Sequence, residues 1–247
     1  MMARLFIGTS GYVYPHWRGR FYPSDLARDA WLGFYAERFS TVELNNPFYR
    51  LPEAETFRRW RKAVPRGFVF SVKASRFITH VKRLRDPAGP VDLLFSRAKA
   101  LGPTLGPILF QLPPRWRAVP ERLDDLIGAI RRQRQVRRPR IVLEVRDQSW
   151  LDPTVTDRLE AGGIALCLAD WPECPVDGPI TAGFVYARRH GTGVRYGGSY
   201  TEAMLRADAG RIRGWLKDGR DVYVYFNNDA EAHAVRNAAR LLELITG

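Results

Sequence analysis

The amino-acid sequence predicts an α/β fold: a single (β/α)8 TIM-like barrel, parallel and eight-stranded, with residues 1–247 forming one domain. Three observations predict it. Eight short apolar runs recur along the chain, and helical patterns lie between most of them. Most of the runs are compact and continuously apolar, as expected of strands covered on both faces. The length of 247 residues is typical of this fold, and no linker, low-complexity segment or shift in composition marks a second domain.

Strands are expected over 5–11, 42–49, 68–75, 108–114, 141–147, 164–170, 184–191 and 221–229. Helices are expected over 26–39, 53–64, 91–101, 120–135, 153–161, 201–217 and 230–245. The first helix carries Trp31, Phe34, Tyr35 and Phe39, and the second Phe57, Trp60 and Val64. Asp152 before Pro153 reads as a cap followed by a first-turn proline, and Gly162-Gly163 as a stop. Ser199 with Glu202, and Asn228 with Glu231, have capping-box spacing. The stretch 171–183 is rich in proline and glycine and shows no clear helix.

Composition narrows the class. Hydrophobic residues make up 45%, so the chain folds around a core. No uninterrupted apolar segment reaches the length of a membrane span, and the N-terminal run before Gly8 is too short for a signal peptide. The expectation is a soluble cytoplasmic protein with no membrane partner, compatible with a monomer. Cys167 and Cys174 form neither a disulfide framework nor a metal-ligand spacing, and the four histidines are scattered. No residue is assigned to a metal; the cofactor stays unknown, with a divalent ion on oxygen ligands left open. The formal net charge of +13 allows a small anionic or nucleic-acid partner. Only five of the 39 basic residues are lysine, however, and a bias in genome composition would also produce that excess of arginine.

In this fold the chemistry sits where strands run into the following loops. Alternation places Glu43 with Asn45, Ser71 with Lys73, Glu144 with Arg146, Arg188 with His190, and Tyr225 with Asn227 on common faces. A charge in a dry interior is costly unless paired, so these strands are building a site or buried ion pairs. The candidate catalytic residues are Glu43, Lys73, Glu144 and Asp170. Candidate ligand-binding residues are Asn45, Gln111, Arg146, Arg188, His190, Arg195, Tyr225 and Asn227. Against this stand two plainer readings. Glu43 with Lys73, and Glu144 with Arg188, would be ion pairs that only specify the fold. Asp170, Asn228 and Asp229 would only cap turns or helices. Polar groups from nearly every strand nevertheless suit an anion or sugar pocket.

Two loop features point the same way. Four glycines surround Arg195 in the stretch 190–199, as suits a backbone that approaches a ligand closely. Tyr12, Tyr14, Trp17, Phe48, Tyr49, Trp116, Trp150 and Trp171 fall in connecting loops, near Arg18, Arg50, Arg76, Arg115 and Arg117. Stacking surfaces beside cations suit bases or sugars; packing at the rim is the alternative.

An ordered set of motifs carries a family resemblance. It comprises Ile7-Gly-Thr-Ser-Gly-Tyr12 with Trp17, Val42-Glu-Leu-Asn-Asn-Pro-Phe-Tyr49, Phe70-Ser-Val-Lys-Ala74 and Phe110-Gln-Leu-Pro-Pro114, then Glu144-Val-Arg146 with Ser149-Trp150, Arg188-Arg-His-Gly191, and Val222-Tyr-Val-Tyr-Phe-Asn-Asn228. The chain resembles the domain of unknown function 72 family, the YecE-like proteins, over nearly its whole length. The resemblance implies a (β/α)8 barrel and no defined reaction, although a nucleic-acid-processing role is suggested for such proteins by analogy of shape. This chain departs from the family where Asn46 follows Asn45 in place of a hydroxyl residue, which weakens any nucleophile at that position.

The favoured function is an enzyme, of hydrolase or phosphodiesterase type, acting on a phosphate-bearing ligand, with nucleic acid one such ligand. Lys73, Arg146, Arg188 and Arg195 would hold phosphate, and Glu43, Glu144 or Asp170 would act as general base or metal ligand. Three readings compete: a carbohydrate site using Glu43 and Glu144, Schiff-base chemistry at Lys73, and a non-catalytic binding protein using the basic rim.

Overall fold

A computed structural model describes residues 2–193 and 196–247. All eight expected runs contain a strand: β1 (Leu5–Thr9), β2 (Thr41–Leu44), β3 (Val69–Lys73), β4 (Leu105–Gln111), β5 (Ile141–Glu144), β6 (Ile164–Leu166) with β7 (Leu168–Ala169), β8 (Phe184–Arg189) and β9 (Asp221–Phe226). The sixth run is divided at Cys167, giving two short strands. Among the described residues every ladder is parallel, with one isolated antiparallel bridge between Ala169 and Val176. The strands form two sheets, of order β1-β9-β8-β7 and β2-β3-β4-β5-β6.

Between the sheets run two seams where a side-chain hydroxyl takes the place of ladder hydrogen bonds. At the first, the Thr9 N–H donates to the Tyr35 hydroxyl (2.9 Å), which donates to the Thr41 carbonyl (3.0 Å). One phenol oxygen thus satisfies both β1 and β2. Above it the strands meet again, with Ser10 and Glu43 bridged in parallel and the Gly11 N–H on the Glu43 carbonyl at 2.8 Å. At the second seam the Thr181 hydroxyl accepts from the Leu166 N–H (2.8 Å) and donates to the Ile164 carbonyl (2.6 Å). Buried backbone groups must be paired, and these two hydroxyls do so without a continuous ladder.

Helices follow most strands and cover their outer faces: α1 (Trp31–Ala36), α2 (Asn46–Tyr49), α3 (Ala54–Lys62), α4 (Ala88–Ala98), α5 (Pro120–Arg132), α6 (Pro153–Gly162), α7 (Glu202–Lys217) and α8 (His233–Thr246). Several limits differ from expectation. The strand expected over 42–49 stops at Leu44, because Asn46-Pro47 opens the short helix α2 with proline in its first turn. Residues 28–30 and 230–232 form 3₁₀ turns, so α1 and α8 begin later than the apolar pattern suggests. Asp152 caps α6 through the Thr154 N–H, and Gly163 ends it at φ 63°, both as expected. Thr201, and not Ser199, caps α7, accepting from the Met204 N–H; the Asn228 side chain caps no helix and bonds the Gly198 carbonyl and Asn237. Among the described residues, no helix is long and apolar enough to cross a membrane.

Apolar packing occurs in two places. An inner cluster of Phe6, Leu109, Val142, Ala165, Cys167, Phe184, Tyr186, Tyr223 and Tyr225 fills the space between the sheets. A larger outer cluster lies between strands and helices and includes Trp17, Trp31, Tyr35 and Trp150. Trp17 and Trp150, expected as loop stacking surfaces, are wholly buried in it.

Gly8 is set by the first seam. A Cβ there would stand 2.2 Å from the Thr41 carbonyl oxygen and 2.9 Å from the Tyr35 hydroxyl, and both are held by the bonds just described. Gly8→Ala is expected to lower the melting temperature sharply. Gly33→Ala in α1, where a Cβ meets nothing within 4 Å, is expected to be neutral or mildly stabilising. Thermal unfolding of the two variants side by side checks this.

Candidate functional site

The carboxyl ends of the strands converge on one buried guanidinium. Arg188, on β8, is 1% exposed and uses all three of its nitrogens. Nη1 donates to Glu144 Oε2 (2.7 Å), Nε to Glu43 Oε2 (3.1 Å), and Nη2 to Glu43 Oε1 (2.8 Å) and Ser10 Oγ (2.8 Å). Glu43 also accepts from the Ser10 hydroxyl and from the Tyr186 hydroxyl (2.6 Å). Glu144 also accepts from Arg146 Nε at 2.7 Å. His190 Nε2 lies 3.2 Å from Glu144 Oε1, and Asn227 Nδ2 lies 3.2 Å from His190 Nδ1. A neutral imidazole protonated on Nε2 satisfies both contacts.

Strand geometry explains the convergence. Tyr186, Arg188 and His190 alternate onto the inward face of one strand and its continuation, as do Glu144 and Arg146 on another. The ion pairs expected from sequence, Glu43 with Lys73 and Glu144 with Arg188, are corrected in one respect. Arg188 bridges both glutamates, because its planar fork reaches two carboxylates where an ammonium presents a point charge.

Burial alone would raise both glutamates. The Arg146 and Arg188 guanidiniums overcome it at Glu144 and hold that carboxyl well below its ordinary value. Arg188, with the Ser10 and Tyr186 hydroxyls, lowers Glu43. Burial lowers His190 despite its bond to Glu144. Two carboxylates and two guanidiniums therefore balance, and Lys73 is left as a surplus cation.

Above this cluster opens a cavity of about 370 Å³, lined by Tyr14, Asn45, Lys73, Arg188, Asn227 and Asp229 among others. Lys73 is half-buried and makes no hydrogen bond or ion pair among the described residues; its Nζ sits 4.2 Å from the centre of the Phe48 ring. Burial, reinforced by Arg188, lowers its ammonium to about 7. Asn45 donates to Ser10 Oγ at 3.0 Å, while its own Oδ1 is buried without a partner. Across the cavity, burial raises the Asp229 carboxyl.

Of the candidates, Asn45, Lys73, Arg188 and Asn227 line the cavity. Glu43, Glu144, Arg146 and His190 lie sealed beneath it, at 0, 0, 5 and 2% exposed. With their oxygens occupied, the two glutamates are placed to hold Arg188. Arg146 lies flat against Trp171, its carbon 3.7 Å from the ring centre. Tyr225 is deeper still, its hydroxyl 2.7 Å from that of Thr41. Gln111 bonds the Leu112 carbonyl. Asp170 accepts from the His190 N–H and the Tyr200 hydroxyl and lines a separate cavity beside Arg189. Arg195 lies outside the described residues. Among the described residues, no three His, Cys, Asp or Glu side chains group as metal ligands.

The glycine loop after β8 folds on itself: a Cβ on Gly191 would meet the Gly197 carbonyl oxygen at 2.1 Å, and the Gly191 N–H is taken by the Tyr200 hydroxyl. Gly198 does the same, a Cβ there meeting the Thr192 carbonyl oxygen at 2.1 Å. Sequence reading missed Tyr186, which holds Glu43, and Tyr196, which lines the cavity. Tyr186 was discoverable, standing two residues before Arg188 on the inward face.

Parallel strands that end in a polar cup under a cavity define the class of protein, and the comparisons give its family. A family model described as "Protein of unknown function DUF72" matches residues 6–247, and the chain belongs to that family. The UPF0759 protein YunF of Bacillus subtilis (strain 168) is 26% identical over an alignment of 273 residues, covering 98% of this chain and 94% of YunF. The crystal structure of a DUF72 family protein from Thermotoga maritima is 25% identical with a TM-score of 0.88, covering 99% of this chain and all of that one. The structure of SacUVDE, 10% identical with a TM-score of 0.59 and 98% of each chain covered, is a likeness of fold alone.

Removing Arg188 leaves two buried carboxylates facing each other. Arg188→Met is expected to destabilise the protein by about 3–5 kcal/mol, measured by urea unfolding. Because Glu43 and Glu144 are depressed in the folded state, their contribution is present above the unfolded value near 4.3 and is lost as pH falls through the folded values. Glu144→Gln is expected to flatten the fall in stability below that pH.

Proposed function

We propose that this chain is an enzyme whose active site is the cavity at the carboxyl ends of the strands, and that its ligand is small and carries a phosphate. One observation carries the reading: Lys73 faces the cavity with no counter-charge in contact among the described residues, over a cluster whose four charges already cancel. A phosphate beside Nζ supplies that counter-charge and draws the ammonium back to its charged form. The Asn45 oxygen and the Asn227 amide offer polar contacts, and Asp229, with its raised carboxyl, is the candidate proton donor or acceptor. About 370 Å³ lies in the range of small-molecule sites and suits a unit the size of a nucleotide or sugar phosphate. A nucleic acid would have to present one extruded nucleotide or a strand end.

The reading includes closure of the two sheets into one (β/α)8 barrel through the Tyr35 and Thr181 hydroxyls. The Ser10–Glu43 bridge and the single residue between β6 and β7 support it.

Lys73→Met is expected to weaken binding of inorganic phosphate and of nucleoside monophosphates by at least about tenfold, roughly 1.4 kcal/mol, in calorimetric titration. Wild-type affinity for sulfate, whose charge is constant across this range, is expected to fall as pH rises through 7. Absence of binding by any of these compounds, or binding unchanged in Lys73→Met, removes the reading. The stability sign is opposite. Lys73 is depressed from its unfolded value, so the folded state holds fewer protons between about pH 7 and 10.4, and stability rises across that window. Lys73→Met is expected to stabilise the free protein more at pH 6 than at pH 10.

A half-neutral lysine without partners also supports imine formation with a carbonyl compound. Lys73→Arg separates the two readings: it keeps the cation and abolishes borohydride trapping.

A further inference from the structure

We infer that the face at the amino-terminal ends of the strands, opposite the cavity, binds the phosphate backbone of nucleic acid. This inference is independent of the reading of Lys73. Residues 131–140 contain six arginines and no acidic residue. The segment leaves the end of α5 and enters β5, folding beside a cavity of about 320 Å³ whose wall includes Arg4, Arg137, Arg138 and Arg140. Val69 and Leu105, the first residues of β3 and β4, share that wall and fix its position in the fold. Arg61 reaches it from α3: a Cβ on Gly102, in the same wall, would stand 2.8 Å from Arg61 Nη1. Cations from segments distant in sequence are thus gathered on one face.

Internal roles account for some of them. Arg131 and Arg132 stand in the last turn of α5, where cations suit the helix dipole, and Arg131 donates to the Ala161 carbonyl. Asp221 holds Arg4 through its backbone N–H (2.7 Å) and Arg140 through Nη2 (2.7 Å). Arg61, Arg137 and Arg138 remain exposed, with no hydrogen bond or ion pair among the described residues. The described residues that line the cavity include four arginines and no carboxylate, and Asp221 answers two of them, Arg4 and Arg140. Drift in composition spreads arginine along a chain; it does not converge unpaired guanidiniums on one face.

The chemistry favours an extended polyanion. Guanidinium forks pair with phosphate oxygens in a bidentate way, and cations spread along a ten-residue segment match a repeating charge. Residues 131–140 present no exposed large apolar side chain, which a bilayer surface would require for anchoring. Recognition is expected to be independent of sequence and driven by counterion release.

The test is fluorescence anisotropy of labelled DNA and RNA oligonucleotides, single-stranded and duplex, with the full chain across a salt series. The triple variant Arg61→Gln, Arg137→Gln, Arg138→Gln alters exposed, unpartnered side chains, and an unchanged melting temperature checks its fold. It is expected to weaken binding at low salt by tenfold or more and to lower the log–log salt slope for duplex by about 0.9 per lost contact. A control triple on the mouth side, Arg50→Gln, Arg76→Gln, Arg115→Gln, is expected to change neither. The inference is overturned if oligonucleotides do not bind at low salt, if the control triple and not the first abolishes binding, or if phosphatidylglycerol vesicles bind in a triple-sensitive manner while oligonucleotides do not.

Discussion

The constraint on which the upper half of this fold depends is the burial of Arg188 between Glu43 and Glu144. A guanidinium in that interior is tolerable only if every nitrogen is bonded and its charge is answered. Both conditions are met by groups from different strands: Ser10 after β1, Glu43 on β2, Glu144 on β5. The arginine therefore does what a ladder hydrogen bond cannot, linking strands that are not neighbours in either sheet. It also bears on what is left over, since with the cluster balanced the side chain of Lys73 has no carboxylate in contact among the described residues.

Both arginine and lysine are cations at a strand end, but their surroundings separate them. Arg188 keeps its proton, because two carboxylates outweigh the cost of burial. Lys73 is brought to about 7 by the same burial without a carboxylate in contact. Fixed charge beneath and adjustable charge above is an arrangement suited to binding an anion and releasing it.

Much of this was legible in the sequence, for identifiable reasons. Continuous apolar runs located all the strands, because burial on both faces leaves that imprint. Period-two alternation placed Glu43, Glu144 and Arg188 inward. Partner choice was not legible, since alternation gives the face and not the reach of a side chain; hence the expectation of separate pairs where one arginine bridges both glutamates. Asp170 and Tyr225 illustrate the other limit. Both stand in strand-end runs, but Tyr225 lies too deep and Asp170 is turned to the His190 backbone and Tyr200. The division into two sheets was invisible because it rests on Tyr35, on a helix, and Thr181, in a proline- and glycine-rich segment.

That division also separates pairing that is local in sequence from pairing that is not. The sheet of β2 to β6 is drawn from one continuous stretch of chain, residues 41–166, in which each strand pairs with its neighbour in sequence. The other joins strands far apart in sequence: β1 has its ladder partner in β9, with Leu5 opposite Val222. The entropic cost of closing a long loop therefore falls on the β1–β9 ladder, whereas the five-stranded sheet closes only shorter ones.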